Sequence, residues 1–264
     1  MITSTANPRV RFLRSLHERR GRRESGCFLI EGTRLVSDAL QAGATFEMIL
    51  YDPTRMTASP IGATMLERLP SGVAFAADER VVAAACDTAT PQGIVAAVKH
   101  PPQRPIEDGL VLIVDALQDP GNLGTIIRSA AAAGAGAVVT TEGSADVFGP
   151  KAMRAGMGAH FRIGLYPDQP WRAVEDLTRG RSLLVALPRG GCPCWAVDWT
   201  RPSGLIIGGE AAGATDYARK IAAGAVTIPM HGDVESLNAA MAASIIAFES
   251  FRQRTQAGQA YHHT

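Results

Sequence analysis

Leu110-Val-Leu-Ile-Val-Asp-Ala-Leu-Gln-Asp-Pro-Gly-Asn-Leu-Gly-Thr-Ile-Ile-Arg128 opens the part of the chain whose pattern decides the fold. Leu110–Val114 is wholly apolar, Pro120-Gly121 turns the chain, and Asn122 is suited to cap a predicted helix, Asn122–Ala133. The alternation then repeats. Strands are predicted at Ala137–Thr141, Arg162–Tyr166, Ser182–Leu187, Gly204–Gly208 and Ala225–Ile228. Helices are predicted at Pro150–Met157, Trp171–Thr178, Thr215–Ala222 and Leu237–Arg254, leaving a loose polar tail over 256–264. Continuous apolar strands separated by helices indicate a parallel sheet covered on both faces, so residues 110–264 read as an α/β domain.

Upstream, residues 101–109 hold Pro101, Pro102 and Pro105 among polar residues and read as a linker, because proline cannot donate to a sheet and extends its predecessor. Residues 1–100 form a second, smaller α/β unit. Its strands are predicted at Phe28–Glu31, Phe46–Tyr51, Val73–Ala76 and Ile94–Val98. Thr33 is the expected cap of a helix that Gly43 stops, and Asp78–Ala85 is a second capped helix.

The 264 residues suit about two domains, and an apolar fraction of 46% excludes disorder throughout. No apolar run approaches the ~18 residues that span a bilayer. The net charge is +1, but its distribution is uneven. Residues 1–25 carry Arg9, Arg11, Arg14, Arg19, Arg20, Arg22 and Arg23 against Glu18 and Glu24, a balance of +5. That is a phosphate-binding footprint, the alternative being a solvated, frayed end. No apolar core follows these arginines, so they do not introduce a secretory signal, and a cytoplasmic location is expected. Four scattered cysteines do not form a disulfide framework, and Cys192-Pro193-Cys194 lacks zinc-site spacing.

Three loops follow predicted strands, where open α/β sheets bind ligands. The first runs from Asp115 to Arg128. The second, Ile206-Ile-Gly-Gly-Glu-Ala-Ala-Gly213, ends a buried strand in glycines that admit close backbone approach. It has neither the GxGxxG spacing of dinucleotide folds nor the ending of a P-loop, and the missing glycine fingerprint after Val114 argues against a Rossmann-type enzyme. The third, Ile228-Pro-Met-His-Gly-Asp-Val-Glu-Ser-Leu-Asn238, places Ser236 and Asn238 around Leu237 before a helix of small residues. Each loop has a plainer reading: Asn122 and Ser236 as helix caps, Glu210 and Arg128 as solvated surface charges.

Taken together, the loops resemble motifs 1, 2 and 3 of the SpoU (TrmH-like) branch of the SPOUT RNA methyltransferases. Asn122-Leu-Gly-Thr-Ile-Ile-Arg128 resembles motif 1; Gly208-Gly-Glu210 with Gly213 resembles motif 2; Ile228-Pro-Met230, Gly232 and Ser236-Leu-Asn238 resemble motif 3. Asn7-Pro8-Arg9 and Phe28-Leu-Ile-Glu-Gly-Thr-Arg34 are similar to the start of the substrate-recruiting domain of these enzymes. The resemblance implies a SPOUT domain with a deep trefoil knot, after a ribosomal-protein-like RNA-binding domain, in a homodimer. It implies S-adenosylmethionine as cofactor, held by Leu187, Gly208, Gly209, Ile228, Met230 and Leu237, and no metal. The implied reaction is methyl transfer to a ribose 2′-hydroxyl, of ribosomal RNA first and transfer RNA second. A non-catalytic RNA-binding protein of the same fold has no need for Asn122, Arg128, Glu210, Ser236 and Asn238 together.

By the same resemblance Arg128 activates the 2′-oxygen. A guanidinium with a pKa above ~12 is a poor base, so two roles stay open: proton acceptor, or electrostatic clamp on the alkoxide and its phosphate. Asn122 would orient the ribose or Arg128, Glu210 would fix the arginine or a loop, and Ser236 and Asn238 would position substrate and cofactor. The N-terminal arginines and Arg34 would bind RNA phosphates. One departure stands in motif 2, which usually reads Gly-Glu-Gly: Ala211 follows Glu210, at a cost of about 1 kcal/mol if a positive φ is needed.

Overall fold

The computed structural model describes residues 1–210 and 212–258. The strain anticipated at Ala211 and the tail beyond 258 lie outside the described residues. Contacts divide the chain into two units: Met1–Pro102 with Phe148–Met153, and Gln103–Val147 with the chain from Arg154 onward.

The N-terminal elements are α1 (Pro8–Ser15), α2 (Arg19–Ser25), β1 (Cys27–Glu31), α3 (Thr33–Gln41), β2 (Phe46–Tyr51), α4 (Pro53–Thr57), α5 (Pro60–Arg68), β3 (Ala74–Ala76), α6 (Glu79–Ala85) and β4 (Ile94–Lys99). The strands order as β1-β4-β2-β3. β4 is antiparallel to both β1 and β2, whereas β3 runs parallel to β2. The basic end is not frayed. Asn7 caps α1 through Arg9 N–H, and Val10, Leu13 and Leu16 join Leu29, Leu50, Val82 and Val95 in the core. α4 and α5 are not expected from the sequence, although Asp52-Pro53 and Ser59-Pro60 are proper cap-and-proline starts. The expected cap Thr33 is instead the first residue of α3, and Gly32, at φ +88°, occupies the cap position. Its backbone lies where a side chain would be strained, so threonine could not stand there.

After β4 come β5 (Val111–Asp115), α7 (Pro120–Ala132), β6 (Ala137–Thr141), α8 (Pro150–Gly156), β7 (Leu165–Gln169), α9 (Trp171–Leu177), β8 (Ser182–Ala186), β9 (Cys192–Pro193), β10 (Ser203–Gly208), α10 (Asp216–Ile221), β11 (Gly224–Thr227) and α11 (Ala239–Gln256). The strands order as β7-β6-β5-β10-β8-β11-β9, and every neighbouring pair is parallel. Val111, Ile113, Val139, Val185 and Ile206 form the core with Val174 and Ala218 from the helices.

Two helix starts differ from the sequence reading in ways that bear on the site. α7 starts two residues before Asn122, because Asp119 accepts the Asn122 N–H at 2.7 Å and Pro120 takes the first helical position. The Asn122 side chain is thereby released from capping. α11 is capped by Asn238, whose Oδ1 accepts from the N–H groups of Ala240 and Met241 at 2.9 and 3.2 Å, not by Ser236. Elsewhere, β7 begins at Leu165, three residues late, because Ala159–Phe161 forms a short 3-10 turn.

Candidate functional site

The carboxyl ends of β8, β10 and β11 and the start of α11 surround a cleft of about 490 Å³. Its walls include all six residues expected to hold the cofactor: Leu187, Gly208, Gly209, Ile228, Met230 and Leu237. Glu210, Ser236 and Asn238 line it too, and Pro188, Arg219, Ala242 and Ile246 are further wall residues that sequence reading missed.

The glycines are required by close backbone packing. A Cβ on Gly208 would stand 2.0 Å from Ala214 N, and one on Gly209 would stand 2.9 Å from the Ala116 carbonyl oxygen. The loop between β10 and α10 folds back on itself, with Gly213 N–H donating to the Gly209 carbonyl at 3.0 Å. Asp115 secures its exit. The Asp115 side chain is buried at the end of β5, where Oδ2 accepts Thr215 N–H at 2.7 Å and Oδ1 accepts the Thr141 hydroxyl at 3.1 Å. Thr141 Oγ1 in turn accepts the N–H of Ala116, held at φ +52°. The signal for Asp115 was present in sequence: a carboxylate directly after an apolar strand is costly to bury unless backbone donors meet it.

A polar chain joins the three loops. Asn122 Nδ2 donates to Glu210 Oε1 at 2.7 Å, and Asn238 Nδ2 donates to Asn122 Oδ1 at 3.1 Å. Since Asn238 Oδ1 is spent on capping α11, its amide orientation is set, and that fixes the orientation of Asn122. Three of the five expected catalytic residues, Glu210, Ser236 and Asn238, thus line the cleft, and Asn122 bridges two of them from outside its wall. Arg128 does not line it. It projects from α7 into solvent, and among the described residues its guanidinium has no hydrogen bond or ion pair. Beside it, Ser129 and Ser244 share a hydrogen bond of 2.7 Å between α7 and α11. The small residues of α11 permit that approach.

The basic N-terminal segment presents most, not all, of its arginines. Arg9 lies 4.0 Å over the Phe75 ring, a cation–π contact. Arg11, Arg14 and Arg34 are exposed, and Arg19, Arg20 and Arg23 line a shallow hollow with Glu24, which pairs with Arg20. Arg22 corrects the expectation that all of them face phosphate. It is 5% exposed, and its Nη1 donates to the carbonyls of Leu16 and His17 at 2.6 and 2.8 Å. The helical turn carries Arg22 inward to satisfy carbonyls between α1 and α2, a positioning invisible in a run of arginines.

Among the described residues no group of three or more His, Cys, Asp or Glu side chains is placed to hold a metal ion. No helix there is long and apolar enough to cross a membrane. All four cysteines are unpaired. Burial, helped by Glu31, pushes the Cys86 thiol up to about 12, which leaves it unreactive.

Residues 109–248 match the SpoU rRNA Methylase family, and residues 7–96 match the MRM3-like substrate binding domain. The chain is 34% identical to the 23S rRNA (guanosine(2553)-2′-O)-methyltransferase RlmP of Bacillus subtilis, covering 94% of this chain and 97% of that protein. It is 33% identical to the 23S rRNA (uridine(2479)-2′-O)-methyltransferase of Streptomyces viridochromogenes, over 90% of this chain and 87% of that one. The crystal structure of the SpoU methyltransferase AviRb from the same organism, in complex with the cofactor AdoMet, superposes with a TM-score of 0.86 at 32% identity, over 94% of this chain and 98% of that one.

Proposed function

The chain belongs to the SpoU rRNA methylase family, and from that premise we propose that it methylates a ribose 2′-hydroxyl of ribosomal RNA with S-adenosylmethionine. The observation that carries this is the Glu210–Asn122–Asn238 chain, which ties three separate loops around one cleft. The cleft fits the cofactor. Its volume lies in the range of small-molecule sites, Gly208 and Gly209 offer backbone without side chains, and Leu187, Ile228, Leu237 and Ile246 supply apolar wall for an adenosine. When bound, the cofactor supplies an electrophilic methyl group on a sulfonium.

The chain's own residues do the rest. Asn122 and Glu210 hold motif 2 against motif 1, and Asn238 anchors the start of α11, so the reacting groups are pre-positioned. Ser236, exposed at the rim, is available to the incoming nucleotide. Arg128 keeps its guanidinium uncommitted, and a permanently charged fork suits a clamp on the phosphate and the developing 2′-alkoxide better than a base. Residues 1–100 act as the RNA-recruiting domain, joined by the 101–109 linker to the catalytic domain of 110–264. Arg11, Arg14, Arg19, Arg20, Arg23 and Arg34 contact phosphates there, and Arg9 joins them from above Phe75.

The working form is a homodimer. On α11, Met241, Ile245 and Phe248 are 54%, 39% and 46% exposed and repeat at helical spacing. With Leu237 they form an apolar stripe beside the cleft, which a second copy of this chain would cover. Four unpaired cysteines suit a reducing cytoplasm.

Transfer of labelled methyl to purified ribosomal and transfer RNA, followed by alkaline hydrolysis, tests the reading. A 2′-O-methyl blocks the neighbouring-group attack, so label is expected in alkali-resistant dinucleotides from ribosomal RNA. Label in mononucleotides would place the methyl on a base and overturn it. Arg128→Ala is expected to abolish transfer while leaving cofactor affinity nearly unchanged.

A further inference from the structure

Among the described residues, Arg219 is the one cationic side chain in the wall of the cleft, and Glu210 the one anionic side chain. Arg219 belongs to none of the three motifs. It stands on α10, where its Nε donates to the Ala214 carbonyl at 3.1 Å. That bond fixes the plane of the guanidinium and leaves its far edge, Nη1 and Nη2, with no bond among the described residues. Gly213 makes room for this edge. It adopts φ +67°, and a Cβ on it would come within 3.3 Å of Arg219 Nη2. The result is a planar two-donor fork in the wall of a cleft otherwise lined by apolar side chains, glycine backbone and the polar Glu210, Ser236 and Asn238.

Such a fork is shaped for a carboxylate, which accepts two parallel N–H bonds. On the functional reading above, the cofactor offers one carboxylate, at the amino-acid end remote from its adenosine. We propose that Arg219 binds the carboxylate of the cofactor's amino-acid moiety through Nη1 and Nη2. It is thereby a specificity residue that distinguishes the intact cofactor and its homocysteine product from nucleosides lacking the amino acid. Glu210 cannot serve that group, Asn238 Nδ2 is already committed to Asn122, and the uncharged Ser236 hydroxyl offers one donor where the carboxylate takes two.

The inference rests on the cofactor assignment, and calorimetric titration of the whole protein separates the two. The probes are S-adenosylhomocysteine and 5′-methylthioadenosine, which share the adenosine but differ in the amino-acid end. Arg219→Met is expected to weaken S-adenosylhomocysteine about tenfold while methylthioadenosine stays within twofold. Arg219→Lys, which keeps the charge but not the two-donor fork, is expected to recover only part of the loss. Equal weakening of both probes would make Arg219 a structural brace of the loop and overturn the proposal. So would unchanged binding of both with a raised KM for RNA and a shallower salt dependence, the signature of a phosphate contact. Wild-type protein that binds neither probe would strike the cofactor reading itself.

Discussion

Asn122→Asp is the sharpest perturbation of this site, because it alters one atom's chemistry and almost no volume. Asn122 Nδ2 now donates to Glu210 Oε1 at 2.7 Å. The substitution removes that donor and sets a second carboxylate against the first. A hydrogen bond to a charged group contributes about 1.5–3 kcal/mol. Two unit charges about 4 Å apart repel by about 1 kcal/mol in a water-like dielectric and about 4 in a protein-like one. Glu210 is exposed, so the lower figure applies, and the total comes to about 2.5–4 kcal/mol. At about 1.4 kcal/mol per decade, kcat/KM should fall by roughly 50- to 700-fold. Folding should survive, since the introduced carboxylate can still accept from Asn238 Nδ2, and Asn238 still caps α11.

Initial rates of labelled methyl transfer, taken as a ratio to wild type, provide the assay. The double variant Asn122→Asp/Glu210→Gln reverses donor and acceptor: the amide introduced at position 210 can donate to the carboxylate introduced at position 122. It should regain at least tenfold over the single variant. If instead the two substitutions multiply their losses, the two residues do not act as one unit, and the reasoning fails.

Four further outcomes are expected. Gly208→Ala drives a Cβ toward Ala214 N at 2.0 Å, so cofactor affinity should drop more than tenfold in calorimetry; unchanged affinity would show the loop to be pliable. His160 is buried, with Nε2 2.9 Å from the Val147 carbonyl, and burial lowers its pKa from 6.5 to about 4. The folded state therefore refuses a proton that the unfolded state takes, and about 3 kcal/mol of stability should vanish as pH falls from 6.5 to 4. Urea titrations at several pH values measure this slope, which His160→Gln should flatten. Arg22→Met should lower the melting temperature by stranding the Leu16 and His17 carbonyls. The triple variant Arg19→Gln/Arg20→Gln/Arg23→Gln should instead leave melting unchanged and flatten the salt dependence of RNA binding; identical behaviour of the two variants would refute the distinction. Phe248→Glu on the exposed stripe should yield monomers in sedimentation, and a persistent dimer would place the interface elsewhere.

Periodicity along the chain marked six of the seven strands in 110–258, because continuous apolar strands can be buried only in a sheet covered on both faces; the two-residue edge strand β9, Cys192–Pro193, is too short to carry a period and reads as loop. Short-range chemistry also marked the three loops, whose glycines, prolines and polar triplets stand out against their neighbours. Helix starts were less legible. Asp119, Asn122, Ser236 and Asn238 can all cap, and which does so depends on where Pro120 and the α7–α11 packing place the first turn. That choice freed Asn122 to bridge Glu210, a partner 88 residues away in sequence. The inward turn of Arg22, the buried grip of Asp115 on Thr215, and the arrival of Arg219 in the cleft wall have the same origin. Each depends on contacts that form only when the chain folds back on itself, and local residue pattern carries no record of which backbone a side chain will meet. Sequence alone marked the three loops that come together at the cleft; only the tertiary structure decided which side chains in them are committed to one another and which are not.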